Sequence, residues 1–556
     1  MLRREFITAS FTAVALLFAP LATPQSKSKR TKERADVATF RARVEKILAG
    51  EATSPPPPTP SPVTVRVVNP DDVRNRNATT PQKGHWGILV VDAATGETLY
   101  AHNADSYFTP ASNTKLFTTA LGLAKLGPDY RYKTTIESRA MPDAHGRLAA
   151  DLVLFARGDP NLSNRKFPYA LEAEREGAPE KVIAALADQI VARGIKQIEG
   201  NIVADDSFFS LERYPSGWAI DDMTEGYGAP VSALALNDNM LNIEIRPGTH
   251  EGEPAWFGVE PWAEFYTFRN EVRTIPTAQG PGRVEIEREP GSREVTLRGT
   301  APIGATPLQL TLAIEEPAEF TAALLKRLLE MRGVRIYGRA LADHNPIKTL
   351  EARNILAEHE SLPLAESVRL INKISQNLHT EMLLRTATRD FHAPDSPNAP
   401  PSDSAGPRLR DSLRAAQQFH DSIGITTGDV VLFDGSGLSR RNLVTPRAVV
   451  TLLRWAAQQP WAAVYDASLP IAGVDGTLST RMKDSPAATR IHAKTGTLGN
   501  VNSLSGYAET AHGTKLVFSM FGNHHNLRRG TRVLDDIAIA MIEEIGAPPP
   551  KRGRRR

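Results

Sequence analysis

Pro110-Ala-Ser-Asn-Thr-Lys115 runs directly into Leu116-Phe-Thr-Thr-Ala-Leu-Gly-Leu-Ala-Lys-Leu126, and the reading of this stretch decides the fold. Leu116, Phe117, Ala120, Leu121, Leu123, Ala124 and Leu126 make the buried side of a helix expected over Ser112–Leu126 and closed by Gly127-Pro128. Ser112 stands at the entrance of that helix, where serine is favoured as an N-cap. Lys115 follows three residues later, so both side chains lie on one side of the first turn. An apolar helix has no need of a lysine there. A serine nucleophile does need a nearby base, and the free N–H groups of a helix start suit a developing oxyanion.

Two more short elements share this polar character. Ser375-Gln-Asn377 falls between helices expected over 365–373 and 378–388, where polar groups cap turns or project into a cleft. Lys494-Thr-Gly496 ends a strand expected over Arg490–Lys494, and Gly496 lets another backbone or a ligand come close. The ordinary reading of a strand-end lysine is a solvated one. Ser-x-x-Lys also occurs at Ser26–Lys29 and Ser163–Lys166, and Ser-x-Asn at Ser396–Asn398, whereas Lys-Thr-Gly occurs once. Those copies sit in the leader, a polar loop and a Pro/Ser-rich loop over Asp395–Pro407. Only the set at 112, 375 and 494 puts every element at a suitable structural edge.

At 556 residues the chain exceeds one ordinary core. It has no cysteine, which removes disulfides, thiolate metal sites and a cysteine nucleophile. The formal charge is +3; residues 1–26 carry +1, residues 27–34 carry +4 and the last six carry +5, which leaves −7 over 35–550. A mildly acidic body argues against nucleic acid as a partner. Arg3-Arg4 followed by the apolar run Phe6–Ala22 reads as a signal peptide over 1–26, with the look of a twin-arginine leader. An uncleaved membrane anchor is the competing reading. Residues 27–83 read as a basic segment, a short helix over 36–49 and a Pro-rich linker around Ser54–Pro62. Residues 547–556 read as a basic, disordered tail with weak attraction to membrane or wall polymers.

Trp86–Val91 and Thr98–Tyr100 predict a hairpin; from about 131 to 350 short strands prevail with few helices. Helices return over 408–421, 446–458 and 530–545, with strands over Ser503–Thr510 and Lys515–Phe521. Asp434-Gly-Ser-Gly437 reads as a turn. His524-His525 reads as an exposed loop without the spacing of a metal site.

The three elements together resemble the serine penicillin-recognising enzymes. About 260 residues separate Ser112 from Ser375, too many for ordinary β-lactamases. Gly158-Asp-Pro-Asn-Leu-Ser163, Tyr227-Gly-Ala-Pro230, Asp434-Gly-Ser-Gly-Leu-Ser439 and Gly473-Val-Asp-Gly-Thr-Leu478 narrow the likeness. It is to the class C low-molecular-mass penicillin-binding proteins, the D-alanyl-D-alanine carboxypeptidase/endopeptidase group, over about 84–546. The resemblance implies an α+β fold: an antiparallel, β-lactamase/transpeptidase-like sheet flanked by helices, from 84–130 and 350–546. The inserted residues 131–349 then form one or two small β-rich domains.

It also implies roles. Ser112 is the nucleophile, Lys115 its base, and Ser375 relays a proton to the leaving amine. Asn377 holds the substrate amide and Lys115, while Lys494, Thr495 and Gly496 bind the terminal carboxylate. The oxyanion hole comes from the backbone N–H groups of Ser112 and Thr497. No metal or cofactor is expected. The expected partners are peptidoglycan peptide stems, with β-lactams as covalent inhibitors, in the periplasm or cell envelope. A β-lactamase or esterase with the same chemistry, or a non-enzymatic β-lactam sensor, is the alternative.

Overall fold

A computed structural model describes residues 34–50, 84–345, 353–390, 408–525 and 530–548. The leader, the Pro-rich linker, the Asp395–Pro407 loop and the basic tail from 549 lie outside the described residues. α1 (Ala35–Leu48) buries Val37, Phe40, Val44 and Ile47, the residues whose spacing predicts it. β1 (His85–Asp92) and β2 (Thr98–His102) form the expected hairpin. Ile88 and Val90 face one side of β1, Leu89 and Val91 the other, and all four are buried. Such a strand needs a helical layer on each face. Phe40 meets Tyr100 of β2 edge-on at 5.4 Å, so α1 is part of one such layer rather than of the linker with which the sequence groups it. Phe40 is fully buried. Phe40→Ala is expected to lower the stability of this layer by about 3–5 kcal/mol, read by denaturant unfolding.

After a 3₁₀ turn (Ala111–Asn113) and α2 (Thr114–Leu126), the chain leaves this body. β3 (Lys133–Ser138), β4 (Leu152–Phe155), β5 (Ile202–Asp205), β6 (Ala340–Asp343) and β7 (Asn354–Glu360) form a second sheet, in the order β6-β5-β4-β3-β7. The β4–β5 and β5–β6 pairs are parallel, which requires long crossovers. α3 (Lys181–Ala192) and α4 (Pro317–Met331) supply them. The inserted region is therefore less purely β than expected, although Ile183, Leu186, Ala187 and Ile190 carry a plain helical period. Between β5 and α4, Met240–Arg246, Trp256–Glu260 and Leu308–Ala313 form one small sheet, and Thr267–Ile275, Arg283–Glu287 and Glu294–Pro302 another. β7 pairs with β3 and puts Leu356 and Ala357 into the inserted core, so the excursion closes after Glu360.

The chain returns through α5 (Leu364–Ile374), α6 (Asn377–Ala387), α7 (Leu409–Ser422), α8 (Pro446–Ala456) and α9 (Ala462–Ser468). β8 (Ile491–Leu498), β9 (Val501–Glu509), β10 (Lys515–Asn523) and α10 (Gly530–Glu544) complete it. The central sheet has the order β8-β9-β10-β1-β2 and is antiparallel throughout. Leu89, Val91, Val517 and Phe521 meet the core of α2, α5 and α7–α9, whereas Ile88, Val90, Phe518 and Met520 meet α1 and α10. This is the α+β architecture expected, with β8 left as an edge beside the start of α2. Among the described residues no helix is long and apolar enough to cross a membrane.

Candidate active site

Ser112 is the middle residue of the 3₁₀ turn rather than the N-cap of α2; Asn113 holds that position, without a side-chain cap. Ala111 has φ +48°, a left-handed conformation that an alanine adopts only when its surroundings impose it. The Thr114 hydroxyl donates to the Ala111 carbonyl at 3.0 Å, and Gly437 packs so close to that carbonyl that a Cβ would overlap it. Lys115 is fully buried. Its Nζ bonds Ser112 Oγ at 2.9 Å, Asn377 Oδ1 at 2.6 Å and the Ser436 carbonyl at 2.6 Å. Burial pulls its pKa down to about 7, against the opposing pull of Asp434 and Glu381. Burial is the main cause of this amine's weak basicity.

Ser375 ends α5 in the left-handed region, with φ +62°, and Gln376 starts α6 by accepting from Leu378 N at 2.8 Å. This abrupt joint between two helices points Ser375 Oγ at Lys494 Nζ, 3.0 Å away. Asn377 uses both ends of its amide: Oδ1 takes Lys115, and Nδ2 donates to the Tyr227 carbonyl at 2.9 Å. A substrate amide would have to displace the latter bond. Lys373, two residues before Ser375, is buried on Asp475 and the Leu469 carbonyl. Asp475 in turn anchors the 473–478 loop, whose Thr477 hydroxyl lies 2.7 Å from that of Thr495.

Lys494, Thr495 and Gly496 lie mid-strand, because β8 continues to Leu498 instead of ending at Lys494. Lys494 is fully buried, not solvated, and donates to Ser375 Oγ and to the Thr495 carbonyl at 2.8 Å. Desolvation, then repulsion from Lys115 and Arg481, holds its pKa well below the usual lysine range. Gly496 abuts the turn that carries Ser112: a Cβ there would lie 3.0 Å from Ser112 N and 2.8 Å from the Pro110 carbonyl. Ser503 donates to that carbonyl at 2.8 Å and Asn113 to Ser505 at 2.7 Å, pinning the turn to β9. Thr497 is exposed on the same edge strand, its hydroxyl accepting from Asn502 at 3.2 Å. The three sequence elements therefore converge. Of the competing copies, Ser163–Lys166 lies in the inserted region with Lys166 exposed against Glu174, and the other two fall outside the described residues.

A model of the D-Ala-D-Ala carboxypeptidase 3 (S13) family matches residues 72–543. The chain belongs to that family. It is 33% identical over 480 residues to a D-alanyl-D-alanine carboxypeptidase of Actinomadura sp. (strain R39), covering 84% of this chain and 83% of the relative. It is 26% identical over 454 residues to the D-alanyl-D-alanine carboxypeptidase DacB of Haemophilus influenzae, covering 80% and 87%. The crystal structure of penicillin binding protein 4 (dacB) from Haemophilus influenzae shares the fold, with a TM-score of 0.71 at 24% identity over 84% of this chain and 97% of that one. The resemblance drawn from the motifs holds at the level of the family.

Two features of this S13-family chain escape a motif reading. Asp434-Gly-Ser-Gly437 is indeed a turn, closed by Asp434 accepting from Gly437 N at 2.9 Å and Ser439 N at 2.6 Å. Yet its Ser436 carbonyl faces Lys115, and a backbone acceptor has no residue signature. His525 is buried and stacked on Trp86 at 5.8 Å rather than exposed in a loop. The inserted chain also reaches the site: Tyr227 meets Asn377, Trp218 Nε1 donates to Asp434 at 2.9 Å, and Asp238 meets His379 at 2.9 Å.

Proposed function

We propose that this chain is a serine D-Ala-D-Ala carboxypeptidase that trims peptidoglycan peptides, with endopeptidase cleavage as a second use of the same acyl-enzyme. The observation that carries this reading is a fully buried amine with its pKa near 7, set 2.9 Å from a serine hydroxyl. Neutral Lys115 takes the proton of Ser112 as Oγ attacks the carbonyl carbon of the penultimate D-alanine. The oxyanion forms against the N–H groups of Ser112 and Thr497. As the C–N bond breaks, the proton that Lys115 took passes through the Ser375 hydroxyl to the leaving amine, which leaves Lys115 neutral again; that hydroxyl is held by Lys494 at 3.0 Å. Water then hydrolyses the ester on Ser112, with Lys115 again as base. The test is release of D-alanine from a D-Ala-D-Ala peptide, stopped by a β-lactam. No release, with rapid turnover of penicillin instead, would mark a β-lactamase.

Lys494 and Thr495, with Gly496 giving close access, bind the terminal carboxylate. The burial and neighbouring cations that hold Lys494 well below its usual pKa have a consequence for binding. An arriving carboxylate favours the ammonium and raises that pKa, so binding draws a proton from solution. Calorimetric titration of Ser112→Ala with the peptide, in buffers of different ionisation enthalpy, is expected to show net proton uptake over the pH range between the free and the bound pKa of Lys494. A peptide with an amidated C-terminus should show none.

Arg3-Arg4 and the apolar run Phe6–Ala22 support export to the periplasm or envelope. The cationic residues at 551–556 support attraction to anionic lipid heads or wall polymers. Deleting the tail is expected to release enzyme from the envelope fraction at low salt; an unchanged distribution at low and high salt removes this role.

A further inference from the structure

Lys115 has one acceptor that belongs to no side chain. Its Nζ donates to the Ser436 carbonyl at 2.6 Å, as short as its bond to Asn377. The turn that carries this carbonyl is gripped from two helices. From α2, the Thr118 hydroxyl donates to the Gly435 carbonyl at 2.7 Å. From α6, Glu381 Oε1 accepts from Gly435 N at 2.8 Å and from Ser436 N at 2.7 Å. The other oxygen of Glu381 accepts from Arg385 at 2.9 Å, one helical turn on, and both side chains are fully buried. A buried ion pair is a poor way to stabilise a helix, since an apolar pair of similar size does as well or better. What an apolar pair would not do is hold two backbone N–H groups.

We propose that Glu381 is a positioning residue for acylation, fixing the 434–437 turn so that its Ser436 carbonyl keeps Lys115 Nζ against Ser112. This rests on Lys115 being the base. The charged groups around that amine are Glu381 on α6 with Arg385 behind it, Asp434 on the turn and Lys494 on β8. Asp434 is occupied by Gly437 N, Ser439 N, Asn442 and Trp218 of the inserted region, so it closes the turn and does not tie it to α6. Glu381 does. Its carboxylate also favours the ammonium form of Lys115, partly offsetting burial. Neutralising it therefore lowers the pH at which the base becomes free, and loosening the turn lowers the rate once the base is free.

The experiment is the rate of acylation of the full chain by a fluorescent penicillin, followed across the pH range on both sides of neutrality. Two variants are compared with the parent. Glu381→Gln removes the charge and leaves an oxygen for the two N–H groups; Glu381→Met/Arg385→Met replaces the buried pair without stranding either charge. In Glu381→Gln the acid limb is expected to move to lower pH by about half a unit or more, and in the double variant by less, because the opposing charge of Arg385 is removed with it. In the double variant the plateau rate is expected to fall roughly 10- to 100-fold; its melting temperature falls as well, because Gly435 N and Ser436 N lose their acceptor, while the chain still folds. A folded double variant with the limb and plateau of the parent overturns the proposal, as does a limb that moves upward. Lys115→Ala, measured alongside, separates the two ideas. Rapid acylation of that variant means that Lys115 is not the base; its loss, with the Glu381 variants matching the parent, removes the positioning role alone.

Discussion

Replacing Ser112 by alanine is expected to lower kcat/KM for D-alanine release roughly 10⁴-fold or more while leaving the fold intact. The rate loss follows from chemistry: among the described residues Ser112 carries the hydroxyl that Lys115 Nζ bonds, and the remaining bonds of that amine go to an amide oxygen and a backbone carbonyl. The intact fold follows from packing. Among the described residues the Ser112 side chain takes part in a single hydrogen bond, and its turn is fixed by Thr114, Ser503 and Asn113 instead. Lys494 and Thr495 are untouched, so the variant is expected still to bind a D-Ala-D-Ala peptide. A continuous D-alanine assay with a thermal melt reads both parts. Loss of activity together with a collapsed melting transition would show that Ser112 acts structurally.

Lys115→Ala is expected to cost roughly 10²–10⁴-fold in the same assay, and to change the shape of the pH profile as well as its height. With its pKa near 7, the parent amine gains its free base form as pH rises through neutrality, so activity climbs over that window. The variant loses this rise. Its stability bears two opposing changes: a buried amine is removed, but Asn377 Oδ1 and the Ser436 carbonyl lose their donor in the interior. Each unsatisfied acceptor costs about 1–3 kcal/mol, so a lowered melting temperature accompanies the flattened profile.

The sequence makes the central sheet and the site's side chains legible for one reason. Both are written in residue types at regular or edge positions. β1 alternates buried residues on two faces, α2 carries its apolar side, and Ser112, Lys115, Asn377 and Lys494 are each chemically distinctive. What stays hidden depends on tertiary placement. The parallel pairing of β4, β5 and β6 gives α3 and α4 their place, and no local pattern announces which strands will neighbour each other. The burial of Lys494 reverses the ordinary fate of a strand lysine, because α5 ends in Ser375 directly over it. The role of Ser436 is carried by a carbonyl, and that of Glu381 by a helix residue whose partners lie 54 and 55 positions away in sequence.

The central claim is that remote stretches of chain meet to make Ser112 an acylating hydroxyl. Mass spectrometry of the intact chain after exposure to a β-lactam, followed by peptide mapping, tests it most directly. A β-lactam presents a strained amide beside a carboxylate, and opening it transfers the whole molecule to the attacking oxygen. One adduct per chain, on the peptide that contains Ser112 and absent from Ser112→Ala, is the expected result. An adduct on another residue, or one that persists in Ser112→Ala, would contradict it.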